Sequence, residues 1–360
     1  MKNLYLGIMS GTSLDGIDIA LCEINSTDCK LISSHEYPYP QELKNAILNI
    51  INTTTTLKEV GTLNTQLGVI YADAINSFLT SKKIDSSNIE AIGLHGQTLW
   101  HEPNSKYPFS MQLGCPNVVS SKTGIKVVGD FRSMDIANGG QGAPFAPAFH
   151  QFVFGSLEER TAVVNIGGMA NITLLENELL GWDSGCGNVL LDMCISMSQN
   201  LSYDKNGTFA KSGKLLSELL NAMLNDTYFQ KLPPKSTGRE YFNNEWLNFK
   251  LSSFKNIKDE DVQRTLLELT ALTIVNDIKN REIELLIICG GGSKNSFLMQ
   301  RLRELSNIEV ATSDEYKVSS DFMEAMAFAW LAYKRINREE VDLKSVTGAD
   351  KNSILGGIYG

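Results

Sequence analysis

The chain has 360 residues, of which 42% are hydrophobic and 20% charged, and its formal net charge is −9. This length allows two domains with separate cores, and the acidic balance argues against a nucleic-acid surface, which needs clustered Lys and Arg. No apolar run approaches the roughly 20 residues that span a bilayer, and the N-terminus is a poor signal peptide, so we expect a cytoplasmic protein without membrane contact. The six cysteines and four histidines show no metal-ligand spacing, which favours buried free thiols.

The first third of the chain predicts a meander of three strands followed by alternating helices and strands, which is typical of a mixed α/β layer. The predicted strands are 5–9, 17–23, 31–37, 89–94 and 125–128, and the predicted helices lie near 43–51 and 63–79.

The turn between the first two strands, residues 10–16, consists of glycines, hydroxyl side chains, a leucine and a carboxylate. Its glycines allow successive amide N–H groups to converge on an anion, and its hydroxyls add further donors. Asp15 and Asp18 can hold a hydrated Mg2+ ion through water. A nucleotide triphosphate site fits these features, although a surface turn explains the turn alone equally well. The predicted nucleotide-binding residues here are Gly11, Thr12, Ser13, Leu14, Asp15, Gly16, Ile17 and Asp18.

The middle of the chain repeats this order about 160 residues later. A strand ending at 166 is followed by Gly167 and Gly168, and then by strands at 171–175 and 179–182 and a helix from about 188. Two such hairpins facing each other can clamp a polyphosphate from both sides. The sequence therefore predicts two similar α/β lobes.

A buried strand at 285–289 leads into the glycines Gly290, Gly291 and Gly292 and an amphipathic helix, and a last helix is predicted at 322–336. Close backbone approach at the triple glycine can accept a base or sugar, while a tight strand-to-helix turn is the plainer explanation.

Together these segments resemble the anhydro-N-acetylmuramic acid kinase family, within the actin and sugar-kinase ATPase superfamily. The motifs that carry the resemblance are GIMSGTSLDGID (7–18), GLHGQTLWHEP (93–103), GDFRSMDIANGGQGAPFAP (129–147), NIGGMANIT (165–173), GWDSGCGN (181–188), PKSTGREYFN (234–243), CGGGSKN (289–295) and MEAMAFAWLA (323–332). Cys186 stands where the family usually has proline.

The resemblance implies two ribonuclease-H-like lobes with ATP in the cleft between them, using ATP and Mg2+. We expect an N-terminal lobe of residues 1–130 plus about 337–360 and a C-terminal lobe of 131–336. The implied substrate is the small sugar 1,6-anhydro-N-acetylmuramic acid. Water attacks C1, the C1–O6 bond breaks and O6 accepts the γ-phosphoryl group, which gives N-acetylmuramic acid 6-phosphate in peptidoglycan recycling. A homodimer is also suggested.

Three residues are the main candidates for contact with the sugar. Asp183, at a strand end before a glycine turn, is expected to be the base for the attacking water, although a local turn or helix cap is an alternative. Glu324 is expected to contact substrate, but it also suits a capping box with Asp321 as N-cap. Arg132 can pair with the lactyl carboxylate, or make a surface ion pair instead.

His95 and Gln97 end a strand and are weaker candidates for sugar or phosphate contact, because loop histidines usually have structural partners. Lys235 and Arg239 can bind an anion, but a solvated loop is equally natural and they receive no role. An actin-like or chaperone-like ATPase switch uses the same hairpins, and a conventional sugar or carboxylate kinase has the same fold, so both remain alternatives.

Overall fold

The structure is a computed structural model that describes residues 3–11, 14, 16–175, 179–233 and 235–360. The chain divides into two compact units: unit 1 is Met1–Val153 with Phe322–Gly360, and unit 2 is Phe154–Asp321. Within the described residues, no helix is long and apolar enough to cross a membrane.

Strands and helices alternate along most of the chain. The strands are β1 (Leu4–Met9), β2 (Gly16–Ile24), β3 (Cys29–Pro38), β4 (Ile89–Leu94), β5 (Gln97–Glu102), β6 (Phe109–Leu113), β7 (Val127–Gly129), β8 (Thr161–Ile166), β9 (Met169–Leu174), β10 (Leu180–Cys186), β11 (Leu285–Cys289), β12 (Glu309–Thr312) and β13 (Gly357–Tyr359). The helices are α1 (Gln41–Asn52), α2 (Leu57–Lys82), α3 (Pro116–Thr123), α4 (Arg132–Ala137), α5 (Ala146–Phe154), α6 (Val189–Gln199), α7 (Thr208–Ser212), α8 (Ser217–Leu224), α9 (Asn244–Leu251), α10 (Asp259–Ile278), α11 (Ser296–Ser306), α12 (Met323–Ile336) and α13 (Lys344–Thr347).

The two units contain sheets of the same topology. In unit 1 the strand order is β13-β7-β4-β1-β2-β3, with β1, β2 and β3 antiparallel and β4 and β7 parallel to β1. In unit 2 the order is β10-β9-β8-β11-β12, again with three antiparallel strands and then two strands parallel to the first. The third-second-first-fourth-fifth order is the ribonuclease-H-like arrangement, so the prediction of a duplicated α/β fold is confirmed.

Helix α12 belongs to unit 1 because two glycines let it rest directly on the sheet backbone. A Cβ atom at Gly7 of β1 would lie 1.7 Å from the carbonyl oxygen of Ala325, and one at Gly93 of β4 would lie 1.9 Å from that of Phe328. The observed division differs from the one expected from the sequence, which placed 131–336 in the second lobe, because residues 131–153 and 322–336 belong to unit 1. Sequence order alone cannot show that the chain returns to the first sheet after residue 321.

Unit 1 has its core between the sheet and the helices α1 and α2. Helix α2 begins with a capping box in which Thr56 and Glu59 bond to each other's backbone N–H groups, so the Thr-rich segment before it is a helix start. Helix α2 then buries one face on the sheet. Members of this core include Leu6, Ile19, Leu67, Phe78 and Ile92.

The sequence did not predict the hairpin of β5 and β6, and residues 97–98 were expected to form a loop. These strands pair antiparallel with Gln97 opposite Leu113, in a sheet of their own. Most of their side chains are exposed or half-buried, so the alternating apolar pattern that indicates a strand is missing.

Candidate active site

The first glycine turn is closed by its own backbone. The N–H of Leu14 donates to the carbonyl oxygen of Gly11 over 3.2 Å, and Leu14 has a φ of 59° with its side chain in the core. Leu14 can therefore meet a ligand only through its backbone. Thr12, Ser13 and Asp15 lie outside the described residues, so their expected phosphate and metal contacts stay predictions.

Buried polar side chains hydrogen-bond to the backbone and side chains of this turn. The Gln97 side-chain amide donates to the Gly11 carbonyl oxygen over 3.3 Å, and Gln97 is 0% exposed. Nearby, Tyr71 is bonded to Ser10 at 2.8 Å and to Tyr39 at 2.9 Å. Burial raises the pKa of both tyrosines, so they stay protonated. The structure thus gives Gln97 a supporting role in place of the expected sugar contact.

The remaining predicted residues of this hairpin lie on β2. A Cβ at Gly16 would lie 2.6 Å from the carbonyl oxygen of Tyr37, so the glycine permits close approach of β3. Ile17 is 1% exposed and belongs to the core. Asp18 is half-buried and opposite Met9, and its carboxylate is of the type that suits Mg2+. Searched over the described residues, the structure holds no group of three or more His, Cys, Asp or Glu side chains that could bind a metal.

The second glycine turn presents an open backbone surface. The nearest atom to a Cβ at Gly167 would be the Met169 carbonyl oxygen, at 3.7 Å, and at Gly168 it would be Nη2 of Arg239, also at 3.7 Å. The Arg239 charge lies close enough to oppose the rise in the pKa of Asp192, which burial raises to about 6. Arg239, which the sequence left unassigned, therefore places a cation beside this turn.

The three glycines after β11 have different roles. Gly290 has a φ of 76°, which few other residues adopt, and makes the turn. A Cβ at Gly292 would lie 2.4 Å from Cγ2 of Ile166, so this glycine permits packing on β8. Gly291 is open, because the nearest atom to a Cβ there would be Nδ2 of Asn188 at 3.8 Å. The expected close approach of a base or sugar therefore fits Gly291 best.

Asp183 is the middle residue of β10, not the strand end expected from the sequence, and the pairing of β10 with β9 shifts register between Asp183 and Gly185. Its carboxylate is held by a distant loop. Oδ2 accepts hydrogen bonds from the Ser236 hydroxyl at 3.1 Å and from the Thr237 backbone N–H at 3.0 Å, so Oδ1 receives neither bond. Burial raises the pKa of Asp183, the two hydrogen bonds lower it, and the charge of Glu240 raises it further. Because the Asp183 carboxylate makes these bonds, it neither forms a local side-chain turn nor caps helix α6. The N-cap of α6 is Asn188, which makes no side-chain cap bond.

The sequence missed the two residues that hold Asp183, although both belong to the PKSTGRE motif. The sequence does not show the contact because these residues lie more than 50 positions from Asp183.

The turn after Asp183 is held by hydrogen bonds although it lacks the usual proline. The Thr270 hydroxyl donates to the carbonyl oxygens of Cys186 and Gly187, at 3.2 and 3.0 Å. Burial raises the pKa of Cys186 to about 12, so its thiol, free like the other cysteines, is inert.

Unit 1 contains a second polar cluster around Arg132, the first residue of α4. Nη1 of Arg132 donates to the Gly142 carbonyl oxygen over 2.6 Å and Nη2 to Nε2 of His95 over 2.8 Å, and the guanidinium lies 5.0 Å from the centre of the Phe145 ring. Its Nε is buried and has no hydrogen-bond partner in the described structure. Desolvation lowers the pKa of Arg132 to about 10, against the favourable charge of Glu324. The guanidinium is thus fixed in place and stays charged.

His95 supports Arg132 and does not present its ring to solvent. Burial, together with the Arg132 charge, lowers the pKa of His95 to about 3, so the ring is neutral at physiological pH. Because a guanidinium only donates, Nε2 is the acceptor and the proton is on Nδ1, which is buried and has no hydrogen-bond partner among the described residues. The expected sugar contact of His95 is therefore replaced by a contact with Arg132.

Glu324 lies in the first turn of α12 and is exposed to solvent. The capping box proposed for it is absent, since the N-cap of α12 is Phe322, without a side-chain cap bond, and Asp321 pairs with Lys294 at 2.7 Å. Desolvation raises the pKa of the Glu324 carboxyl, and the nearby positive charge of Arg132 lowers it. The carboxylate is therefore available to a ligand.

The repeated sheets, each with a glycine turn after its first strand, define the class of actin-like and sugar-kinase ATPases. The held carboxylate of Asp183 lies on the third strand of the second sheet. Within this class, the model of one family, anhydro-N-acetylmuramic acid kinase, matches residues 3–360. The chain belongs to the anhydro-N-acetylmuramic acid kinase family, and it is accordingly a phosphotransferase.

Relatives with the same description match the chain over almost its whole length. One from Sulfurovum sp. is 54% identical, covering 99% of this chain and 99% of its own. One from Sulfurimonas denitrificans is 55% identical and covers 100% of both. A third, from Pasteurella multocida, is 48% identical over 99% of this chain and 96% of its own.

Proposed function

We propose that this enzyme uses ATP to convert 1,6-anhydro-N-acetylmuramic acid into N-acetylmuramic acid 6-phosphate, in the recycling of peptidoglycan. Water adds to C1 as the C1–O6 bond breaks, and O6 takes the γ-phosphoryl group. The observation that carries the proposal is the carboxylate of Asp183, held at Oδ2 by Ser236 and Thr237 with Oδ1 not engaged by either. One fixed, partly desolvated carboxylate near a glycine turn is what a base for this water requires.

The open glycines fit a nucleotide. Backbone N–H groups at Gly168 and Gly291, and close approach at all three glycines, suit phosphates and a flat base or ribose, because side-chain atoms there would fill the space that the ligand needs. The N–H of Gly167 is not one of these donors, because it already donates to the Met169 carbonyl oxygen. Arg239, beside Gly168, adds positive charge for the phosphates. We assign the backbone of the first turn, residues 11–18, to the same task.

Mg2+, when bound, neutralises charge that develops on the phosphates. Asp18, with Asp15, would hold it through water, since carboxylate and water oxygens are the ligands that Mg2+ prefers. Neither aspartate is assigned to the sugar.

Asp183 takes the proton from the attacking water. Burial raises the pKa of its carboxyl, which brings the base closer to neutrality and makes it a stronger acceptor while it remains ionised. A separate acid is not needed at O6, because the phosphoryl group captures the leaving oxygen.

Arg132 and Glu324 are assigned to the sugar. Nη1 and Nη2 of the Arg132 guanidinium each carry one N–H beyond those bonded to Gly142 and His95, and these two can donate to the lactyl carboxylate. Glu324 is exposed and can accept hydrogen bonds from sugar hydroxyls or the water. We also place the enzyme in the cytoplasm, which fits its free cysteines. The family resemblance suggests a homodimer.

An assay in 18O-labelled water tests the proposal. ATP and 1,6-anhydro-N-acetylmuramic acid should give ADP only when both are present, with one 18O atom at C1 of a 6-phosphorylated product, as read by mass spectrometry. Label-free product would indicate a conventional kinase acting on a free hydroxyl. ATP hydrolysis that does not depend on sugar would indicate an ATPase switch and overturn the assignment.

A further inference from the structure

Lys235 and Asp277 form a buried ion pair in unit 2. Nζ of Lys235 lies 3.1 Å from Oδ1 of Asp277, and the two side chains are 2% and 15% exposed. The other carboxylate oxygen of Asp277 accepts a hydrogen bond from Nε1 of Trp182 at 2.8 Å. Lys235 is thus not the surface anion-binding group that the sequence allowed, because its charge is already paired inside the protein.

The same residues surround the backbone of Asp183. The Asp183 N–H donates to the Lys235 carbonyl oxygen over 2.9 Å, and the Tyr228 hydroxyl donates to the Asp183 carbonyl oxygen over 2.8 Å. Nζ of Lys235 lies 5.4 Å from the centre of the Tyr228 ring. Trp182 precedes Asp183 on β10, so the ion pair touches the strand, the loop and the tyrosine that together fix this carboxylate.

A buried ion pair is a poor source of stability, because the cost of removing both charges from water offsets much of their attraction. It does fix geometry, since each buried charge requires its oppositely charged partner to stay in place. Here the partner on α10 holds residue 235, and the next two residues of the loop donate to Oδ2 of Asp183.

We propose that Lys235 is a positioning residue: its pair with Asp277 fixes the loop whose Ser236 and Thr237 groups orient the Asp183 carboxylate. The inference rests on the proposed function of Asp183. Lys235 touches no reacting atom in this scheme and acts through the loop.

The groups that face Asp183 set the pKa of its carboxyl, and this pKa reports whether the loop is in place. Glu240 raises the pKa of the Asp183 carboxyl by its charge, and Tyr228 is a neutral neighbour whose own pKa lies well above neutrality. The Lys235–Asp277 pair is buried. The bonds from Ser236 and Thr237 lower the pKa of Asp183. Loss of the anchor should therefore raise it.

The test compares Lys235→Met with the unaltered enzyme by 13C NMR titration of the Asp183 carboxyl, assigned with Asp183→Asn, and by the pH dependence of kcat/KM for the sugar. We expect the carboxyl to titrate at higher pH in Lys235→Met and the acidic limb of the profile to move the same way. We expect kcat to fall on the order of 10- to 100-fold, as for a misplaced catalytic group, with little change in KM for ATP. Ser236→Ala should move the titration in the same direction.

Arg264→Met is the matched control. Arg264 pairs with Glu268 on the same helix α10, with side chains 11% and 4% exposed, and Glu268 keeps Arg301 as a partner at 2.7 Å. This variant should lose stability without moving the Asp183 titration. If Lys235→Met does not fold, the double variant Lys235→Met/Asp277→Asn leaves no unpaired buried charge and replaces it in both measurements.

An unshifted Asp183 titration in the folded lysine variant, or an equal shift in Arg264→Met, would overturn the positioning role. Failure of the proposed function looks different: the unaltered enzyme would form no sugar-dependent ADP, while the NMR titration would still report whether Lys235 orients the carboxylate.

Discussion

Nη2 of Arg132 lies 2.8 Å from Nε2 of His95, and this contact fixes the charge and tautomer of the histidine. His95 must be the acceptor, so it is neutral and carries its proton on Nδ1. Because His95 is neutral, it does not compensate the positive charge of Arg132. Glu324 is the negative charge that acts on this guanidinium. This arrangement is suited to binding an anion.

Replacement of Arg132 should discriminate between two sugars. Arg132→Met is expected to raise KM for 1,6-anhydro-N-acetylmuramic acid roughly 10- to 100-fold, the range of a charge-assisted hydrogen bond, because the lactyl carboxylate loses its partner. Steady-state kinetics with 1,6-anhydro-N-acetylglucosamine, which lacks the lactyl group, provides the control. An equal loss with both sugars would show that Arg132 does not recognise the carboxylate.

Stability should depend on pH through buried histidine. Burial lowers the pKa of His95, and also of His150, to about 3, whereas an unfolded histidine has a pKa of about 6.5. Between these values the unfolded chain binds more protons, so the free energy of unfolding should fall as the pH falls below about 6.5. Each histidine contributes up to about 1.4 kcal/mol per pH unit.

Urea unfolding at several pH values checks this, with His95→Gln as the variant. Glutamine can still accept the bond from Arg132 but does not titrate, so the slope of stability against pH should become shallower without vanishing, because His150 remains. An unchanged slope would mean that His95 is not held neutral in the folded protein.

Asp183→Asn should abolish the reaction and keep the fold. The amide oxygen can still accept the bonds from Ser236 and Thr237, but it cannot take a proton from water. We expect kcat to fall on the order of 10²- to 10⁴-fold, the contribution of a general base, with ATP affinity by calorimetry unchanged. Turnover close to that of the unaltered enzyme would remove Asp183 from the proton transfer.

Two neighbouring glycines should respond differently to alanine. In Gly292→Ala the new methyl group meets Ile166 at 2.4 Å, so unfolding should become easier by about 1–3 kcal/mol, as in an overpacked core. In Gly291→Ala the methyl group enters open space, so the melting temperature should change little while the Kd for ATP rises. Thermal melts and calorimetry on both variants measure this. Unchanged ATP affinity in Gly291→Ala would place the nucleotide elsewhere.

Much of the fold was predictable because its signals are local. Alternating or continuous apolar runs indicated β1, β4, β8 and β11, and the glycine turns marked where the strands end. The β5–β6 hairpin was missed because its side chains are mostly exposed. The assignment of α12 to unit 1 depended on two glycines whose partners lie far along the chain.

The candidate site shows the same division. The α/β repeat, the family and the candidate residues Asp183, Arg132 and Glu324 could be predicted from the sequence, because each lies in a short motif. The buried supporting positions of Gln97 and His95, and the loop more than 50 residues away that holds Asp183, became visible in the folded chain. Burial and long-range hydrogen bonds set the charge and orientation of these side chains, and both arise only when distant parts of the chain pack together.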